Sequence, residues 1–396
     1  GASLLPWRGF SAVIRTLTRW IHKIPLLDRW LLAEVAAPLL FAVASFTVLG
    51  LSIGVMFELA RRLVDGLPIL VALQLLLLNV PSFLVLSLPM AALFATLLAY
   101  SKLSSNSELT ALRSLGVSTT RLVVPALALS IFLTGITFIF NDVIVPRANT
   151  QAEITLQKGL GRALATEKGK DITFNSFGKI YDPKTETSST GLRQLFYARR
   201  FEKGEMLGVT LLDFSRADYR QMWIAERAVY NESKAMWEFF DGQVLTLNPN
   251  GSTTRLAFDE NFYPLSSGPL QVARLPDDAN DMTLAQAIAA EKIESDAGNI
   301  KASRKLKVRI QEKFSFPMAC IVFGLIGSSL GARPGSRTSR SQGFGVSILL
   351  ILGYYALSVS FSSLGVSGII PPFMAAWLPV SISLGAGGLL LSQASR

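Results

Sequence analysis

Five charge-free runs decide what this chain can become: Val35 to Phe57, Gly66 to Ser101, Leu122 to Asn141, Phe314 to Ala332 and Ser341 to Ser395. A hydrocarbon core of about 30 Å takes roughly 20 residues of helix, so the first four runs predict one span each and the last predicts two. The reading is a membrane α-helical protein with six transmembrane helices. Only 17% of the 396 residues are charged, which fits charges gathered into the segments between spans.

The longest such segment separates the third span from the fourth. From Pro146 to about Asp281 the chain turns polar and strand-like, with stretches such as DITFNSFGKIYD, MLGVTLLDF and YRQMWIAERAVY. Asp241-Gly242 and Asn250-Gly251 read as hairpin turns. The expectation is an inserted all-β domain of sandwich or jelly-roll type. The plan is 3+3: residues 1–145 hold an N-terminal helix and spans one to three, 146–281 the β domain, and 282–396 connecting helices and spans four to six. Within the β domain, Phe174, Phe196, Leu211 and Trp223 either line an apolar groove for acyl chains or form the core.

Smaller features refine the plan. The opening GASLLPWRGF is too polar for a secretory signal. Ser11 to Ile24 alternates an apolar face with Arg15, Arg19 and Lys23, as an amphipathic helix on an anionic leaflet does. Glu34 falls in the first turns of span one, where a carboxylate needs a cation, and Arg29 is nearby. Pro68, Pro81 and Pro89 predict a lead-in, a bend and a second span ending near Leu103. MTLAQAIAAEKI predicts a helix, Ala297-Gly298 a pause, and the basic segment after it a helix feeding span four at Phe314. In that span GSSLG has the small-xxx-small spacing that lets helices approach closely.

Between spans two and three lies a polar handle, SSNSELTALRSLGVSTTR, from Ser104 to Arg121. Ser105 or Asn106 is the expected N-cap, Glu108 sits in the first turn, Leu109, Leu112 and Leu115 recur at helical spacing, and Gly116 supplies a stop. With six spans the handle, both termini and the GARPGSRTSR loop share one side. That side holds 12 Lys and Arg, and nine near span ends face the other way, including Arg61, Arg62, Lys301, Lys305, Arg309 and Lys313. The positive-inside rule therefore leans toward a cytoplasmic handle, and an anionic ligand would account for the nine opposite charges.

Several chemistries are excluded. Cys320 and His22 are each the single residue of their kind, so disulfide frameworks and Cys/His metal sites are ruled out. No GxxxxGK[ST] loop occurs, so ATP would have to be hydrolysed by a partner. No His/Asp/Glu cluster falls inside the apolar runs, and Glu34 alone is insufficient for an intramembrane enzyme.

Three stretches together resemble the LptF/LptG permease family of the lipopolysaccharide export ABC transporter. They are LLDRWLLAEVAAPLLF, LPMAALFATLLAYSKLSSNSELTALRSLGVS and KLKVRIQEKFSFPMACIVFGLIGSSLGARPGSR, and the resemblance covers essentially the whole chain. It implies a non-catalytic, multi-pass subunit of the bacterial inner membrane with a periplasmic jelly-roll. It also implies a second LptF/LptG-type permease subunit, in a homodimer or heterodimer, and a cytoplasmic LptB-like ATPase dimer. Lipopolysaccharide would pass to LptC/LptA-like periplasmic proteins; no cofactor is expected on this chain and no nucleic acid. The helix spanning 104–118 would dock on the ATPase through Glu108, Leu109, Leu112, Arg113 and Gly116. Substrate contacts would fall to Arg61 and Arg62, with Arg29, Glu34 and Lys313 as further candidates. The competing expectation is a membrane-anchored periplasmic binding or assembly scaffold without transport activity.

Overall fold

The computed structural model describes residues 25–159, 171–183, 185–276, 278–333 and 340–395. Six helices in it are long and apolar enough to cross a membrane: Leu26–Val64, Ile69–Ser105, Thr119–Leu156, Ile300–Gly331, Gly345–Ser367 and Pro372–Ser395. They are spans one to six below. The expected basic helix at Ser11 to Ile24 and most of the loop between spans four and five lie outside the described residues.

Two spans run on beyond their apolar runs through π-helical turns, Ser52–Met56 in span one and Phe140–Ile144 in span three. Pro146 to Gly159, expected among the strands, is therefore helical, because it continues span three without a break. Span two is one helix of 37 residues. It passes through Pro81 and Pro89 instead of bending at a separate lead-in. Near the prolines, Asn79 Nδ2 and Ser87 Oγ donate to the carbonyls of Leu75 and Leu84 in the same helix.

Span four is the centre of the bundle, and its glycines are the reason it can be. A Cβ on Gly327 would stand 2.7 Å from the Leu93 carbonyl of span two, and one on Gly331 2.8 Å from that of Leu97. Gly324 lies against the side chain of Ser130 in span three. Small residues here let the helices approach closely, as the GSSLG spacing implies.

The β domain is a single antiparallel sheet in chain order: β1 Ile172–Asp182, β2 Thr187–Glu202, β3 Glu205–Asp213, β4 Arg220–Asn231, β5 Met236–Leu247 and β6 Thr253–Tyr263. Alternation along the strands buries one face, and the helices Gly268–Ala273 and Leu284–Asp296 contribute Ala273 and Ile293 to the same core. Asn250-Gly251 makes the expected hairpin turn, with Gly251 at φ 80°. Asp241-Gly242 does not. Asp241 lies inside β5 at φ 52°, unpaired between Arg227↔Phe240 and Ala225↔Gly242. It makes no turn, because the pairing register with β4 and with β6 is the same on both sides of it and the strand continues.

Polar contacts hold the sheet to the spans. Asp142 Oδ1 of span three accepts from Leu284 N at 2.6 Å, Asn149 Nδ2 donates to Asp281 at 2.6 Å, and Ser82 of span two donates to Asn149 at 2.9 Å. The helix Leu284–Asp296 opens with a capping box between Thr283 and Gln286. It ends where Gly298, at φ +74°, turns the chain into span four, and there Phe177 N of β1 donates to the Ala297 carbonyl at 2.7 Å.

Candidate functional site

Two places on this scaffold carry unusual polarity, one at each end of the bundle. At the first end the handle forms a short helix, Glu108–Ser114. Span two runs helical through Ser105, so neither Ser105 nor Asn106 caps it. Ser107 holds the N-cap position, at φ 62° and with no capping bond from its side chain, and Asn106 Nδ2 donates to Glu108 Oε1 at 2.9 Å. Gly116, at φ +89°, is the expected stop.

The three leucines divide. Leu109 is 1% exposed and packs with Tyr100, Leu122 and Ala332 of the chain's own spans, whereas Leu115 is 80% exposed. Leu112 is half-buried against the same cluster. Leu109 is thus an internal anchor, and Leu115 is the one of the three that stays exposed. Arg113 Nη2 donates to the carbonyl of Ala332 at the end of span four, and its Nε is buried without a hydrogen bond among the described residues. Burial lowers the Arg113 pKa from its ordinary value.

Ion pairs brace this end. Arg121 grips Asp28 with two hydrogen bonds of 2.6 and 2.8 Å, and Lys102 Nζ stands 2.8 Å from Glu34. The cation that Glu34 meets is therefore Lys102 of span two, brought across by packing that no spacing in the sequence reveals. Glu34 and Arg29 sit at the handle end, and neither lines the cavity at the other end.

At the sheet end a cavity of about 900 Å³ opens between spans two to five. Span four presents Lys301, Lys305, Arg309 and Lys313 to it, four residues apart and so on one helical face. Opposite them stand Ser358, Ser362, Tyr354 and Tyr355 of span five. Arg309 is paired with Glu312, which also lines the cavity, at 2.7 Å. Lys301, Lys305 and Lys313 make no ion pair within 4.0 Å among the described residues. Asp142 and Asp281 lie close enough to act on the charge of Lys313, which is 7% exposed. Ionisable groups at such depth are costly and ordinarily mark a ligand or ion path. The Tyr355 hydroxyl is buried without a hydrogen-bond partner among the described residues.

Of the residues singled out from sequence as substrate contacts, only Lys313 reaches this cavity. Arg61 and Arg62 ride on the end of span one, both facing Glu58, at 3.8 and 2.7 Å. They are absent from the cavity wall. Phe174, Phe196, Leu211 and Trp223 are all buried in the sheet core with Trp237 and Phe239, so they fill the domain and line no open groove. Lys301, Lys305 and Arg309 are visible in the sequence as outward charges, and their period of four is the signal that assigns them one face. Ser358 and Ser362 are likewise four apart, within a charge-free run that also holds Ser360, Ser363 and Ser367.

A family model described as "Lipopolysaccharide export system permease LptF/LptG" matches residues 29–393. No curated protein matches the chain.

Proposed function

Since the chain belongs to the LptF/LptG permease family of lipopolysaccharide export, we propose that it takes lipopolysaccharide, or a similar anionic glycolipid, from the outer leaflet of the inner membrane. It passes that lipid toward the periplasmic sheet. In this reading the sheet end is periplasmic and the handle cytoplasmic. A separate ATPase dimer drives the cycle from the handle, and LptC/LptA-like proteins receive the lipid.

The observation that carries the proposal is the column of Lys301, Lys305, Arg309 and Lys313 inside a cavity walled by membrane spans. Ammonium and guanidinium groups there match phosphates, and the serine and tyrosine hydroxyls match sugar oxygens. A volume of about 900 Å³ is that of a site for a drug-sized molecule. It holds a headgroup, and a many-chained lipid needs the open side to be completed by a second permease subunit. A scaffold that only anchored the sheet would have no use for unpaired cations between its spans.

Photo-crosslinking from position 358 to radiolabelled lipopolysaccharide in the assembled complex tests this. The double substitution Lys305→Glu, Arg309→Glu is expected to weaken capture at least about tenfold. Undiminished capture, or an equal yield with an uncharged glycolipid, would overturn the proposal.

A further inference from the structure

Arg113 belongs to the handle, yet it faces inward. Its guanidinium donates to the Ala332 carbonyl, and Ser104 Oγ, in the last turn of span two, donates to the next carbonyl, Arg333, at 2.7 Å. Both acceptors lie where span four ends. A helix C-terminus leaves carbonyls without intrahelical donors and carries the negative end of the dipole, and a guanidinium answers both needs. Beneath this polar contact Leu109 and Ala332, 1% and 0% exposed, share one apolar cluster. Span four then runs as a single helix of 32 residues to the opposite end, where it carries the four cations of the cavity.

Resting on the permease reading above, we propose that Arg113 is a positioning residue that ties the handle to span four, so that movement of the handle reaches the cavity cations along one helix. The ATPase meets Glu108 and Leu115; Arg113 carries the displacement inward and makes no contact with that partner.

The test uses the purified complex in proteoliposomes and measures lipopolysaccharide extracted per ATP hydrolysed. Arg113→Ala is expected to lower that ratio about tenfold, the size of a typical coupling energy between sites. The ATPase subunit still co-purifies, and Arg113→Lys recovers at least half of the ratio because an ammonium also reaches the carbonyl. In the Arg113→Ala background, Ser114→Cys of the handle and Arg333→Cys joined by a short bismaleimide restore extraction; the native thiol, Cys320, is buried and does not compete.

Loss of co-purification in Arg113→Ala would make Arg113 a partner contact and overturn the proposal, as would an unchanged ratio or a cross-link that restores nothing. If Arg113→Ala does not accumulate, the same cross-link in an otherwise unaltered chain decides. Extraction must survive it, and its loss would mean that handle and span four separate during the cycle. Failure of the unaltered chain to hold any ATPase would count against the permease reading and not against this link.

Discussion

At the handle end Lys102, Arg121 and Arg333 are bonded to Glu34, Asp28 and Gln393, and hydroxyls of Ser104 and Thr119 reach the carbonyls of Arg333 and Ala394. At the sheet end Lys301, Lys305 and Lys313 stand without ion pairs among the described residues, around a cavity. The same helices thus pass from a region where these polar groups have fixed partners to one where partners are withheld. Under the proposed function, a force applied to the braced end moves several spans together, while Lys301, Lys305 and Lys313 at the other end are left to meet an arriving anion. Satisfied polar networks rigidify, and unsatisfied ones wait for a ligand.

Substitutions that separate stability from lipid handling sharpen this contrast. The largest effect is expected where span four meets span two. Gly327→Leu forces side-chain atoms against the Leu93 backbone and should cost about 1–3 kcal/mol or prevent assembly, read as thermal unfolding in detergent. Gly353→Ala, with nothing within 4 Å of its added Cβ, should be silent in the same assay.

Lys313→Met comes next and reverses the pattern. Removing a buried ammonium should leave the unfolding temperature unchanged or raise it, while capture of lipopolysaccharide falls by about tenfold. If instead this variant unfolds early with capture intact, the lysine braces the sheet end and the contrast between the two ends is lost.

Asp28→Asn removes the charge from a bidentate pair that is partly exposed, and should cost about 1 kcal/mol. The loss should shrink as salt is added, which the same unfolding assay follows.

The smallest effect concerns pH. Burial raises the Glu294 pKa above its ordinary 4.5, opposed by a hydrogen bond from Asn299. The folded state then holds this proton more tightly than the unfolded chain does. Its contribution to stability is therefore fully present below the ordinary value and is lost as pH rises through the raised one. Glu294→Gln should flatten the unfolding temperature across that window, and an unchanged slope would show that another group sets it.

The spans are legible in the sequence because an apolar run of about 20 residues matches the thickness of a hydrocarbon core, and water-exposed helices do not keep one. The pause at Gly298 and the turn at Gly251 are legible because both need a positive φ that glycine supplies. Asp241-Gly242 carries the same turn letters, but only pairing with β4 and β6 shows that the strand continues through it. Leu109 and Leu115 share a helical pattern, and nothing local tells which one the rest of the chain will cover. The cavity is hidden for a related reason. Lys301 to Lys313 are readable as a stripe, and their meeting with Ser358 and Ser362 across span four and span five is a property of packing alone.

Spacing along span four has one more consequence. Successive charges at Lys301, Lys305, Arg309 and Lys313 rise about 6 Å per step, or about 18 Å from lowest to highest. Arg304, between Lys301 and Lys305, bonds the carbonyl of Ser367, where span five stops. The column is thus a ladder from within the apolar layer to its rim. Under the proposed function, a phosphate that leaves one rung already feels the next, so the anion climbs without being stranded uncompensated.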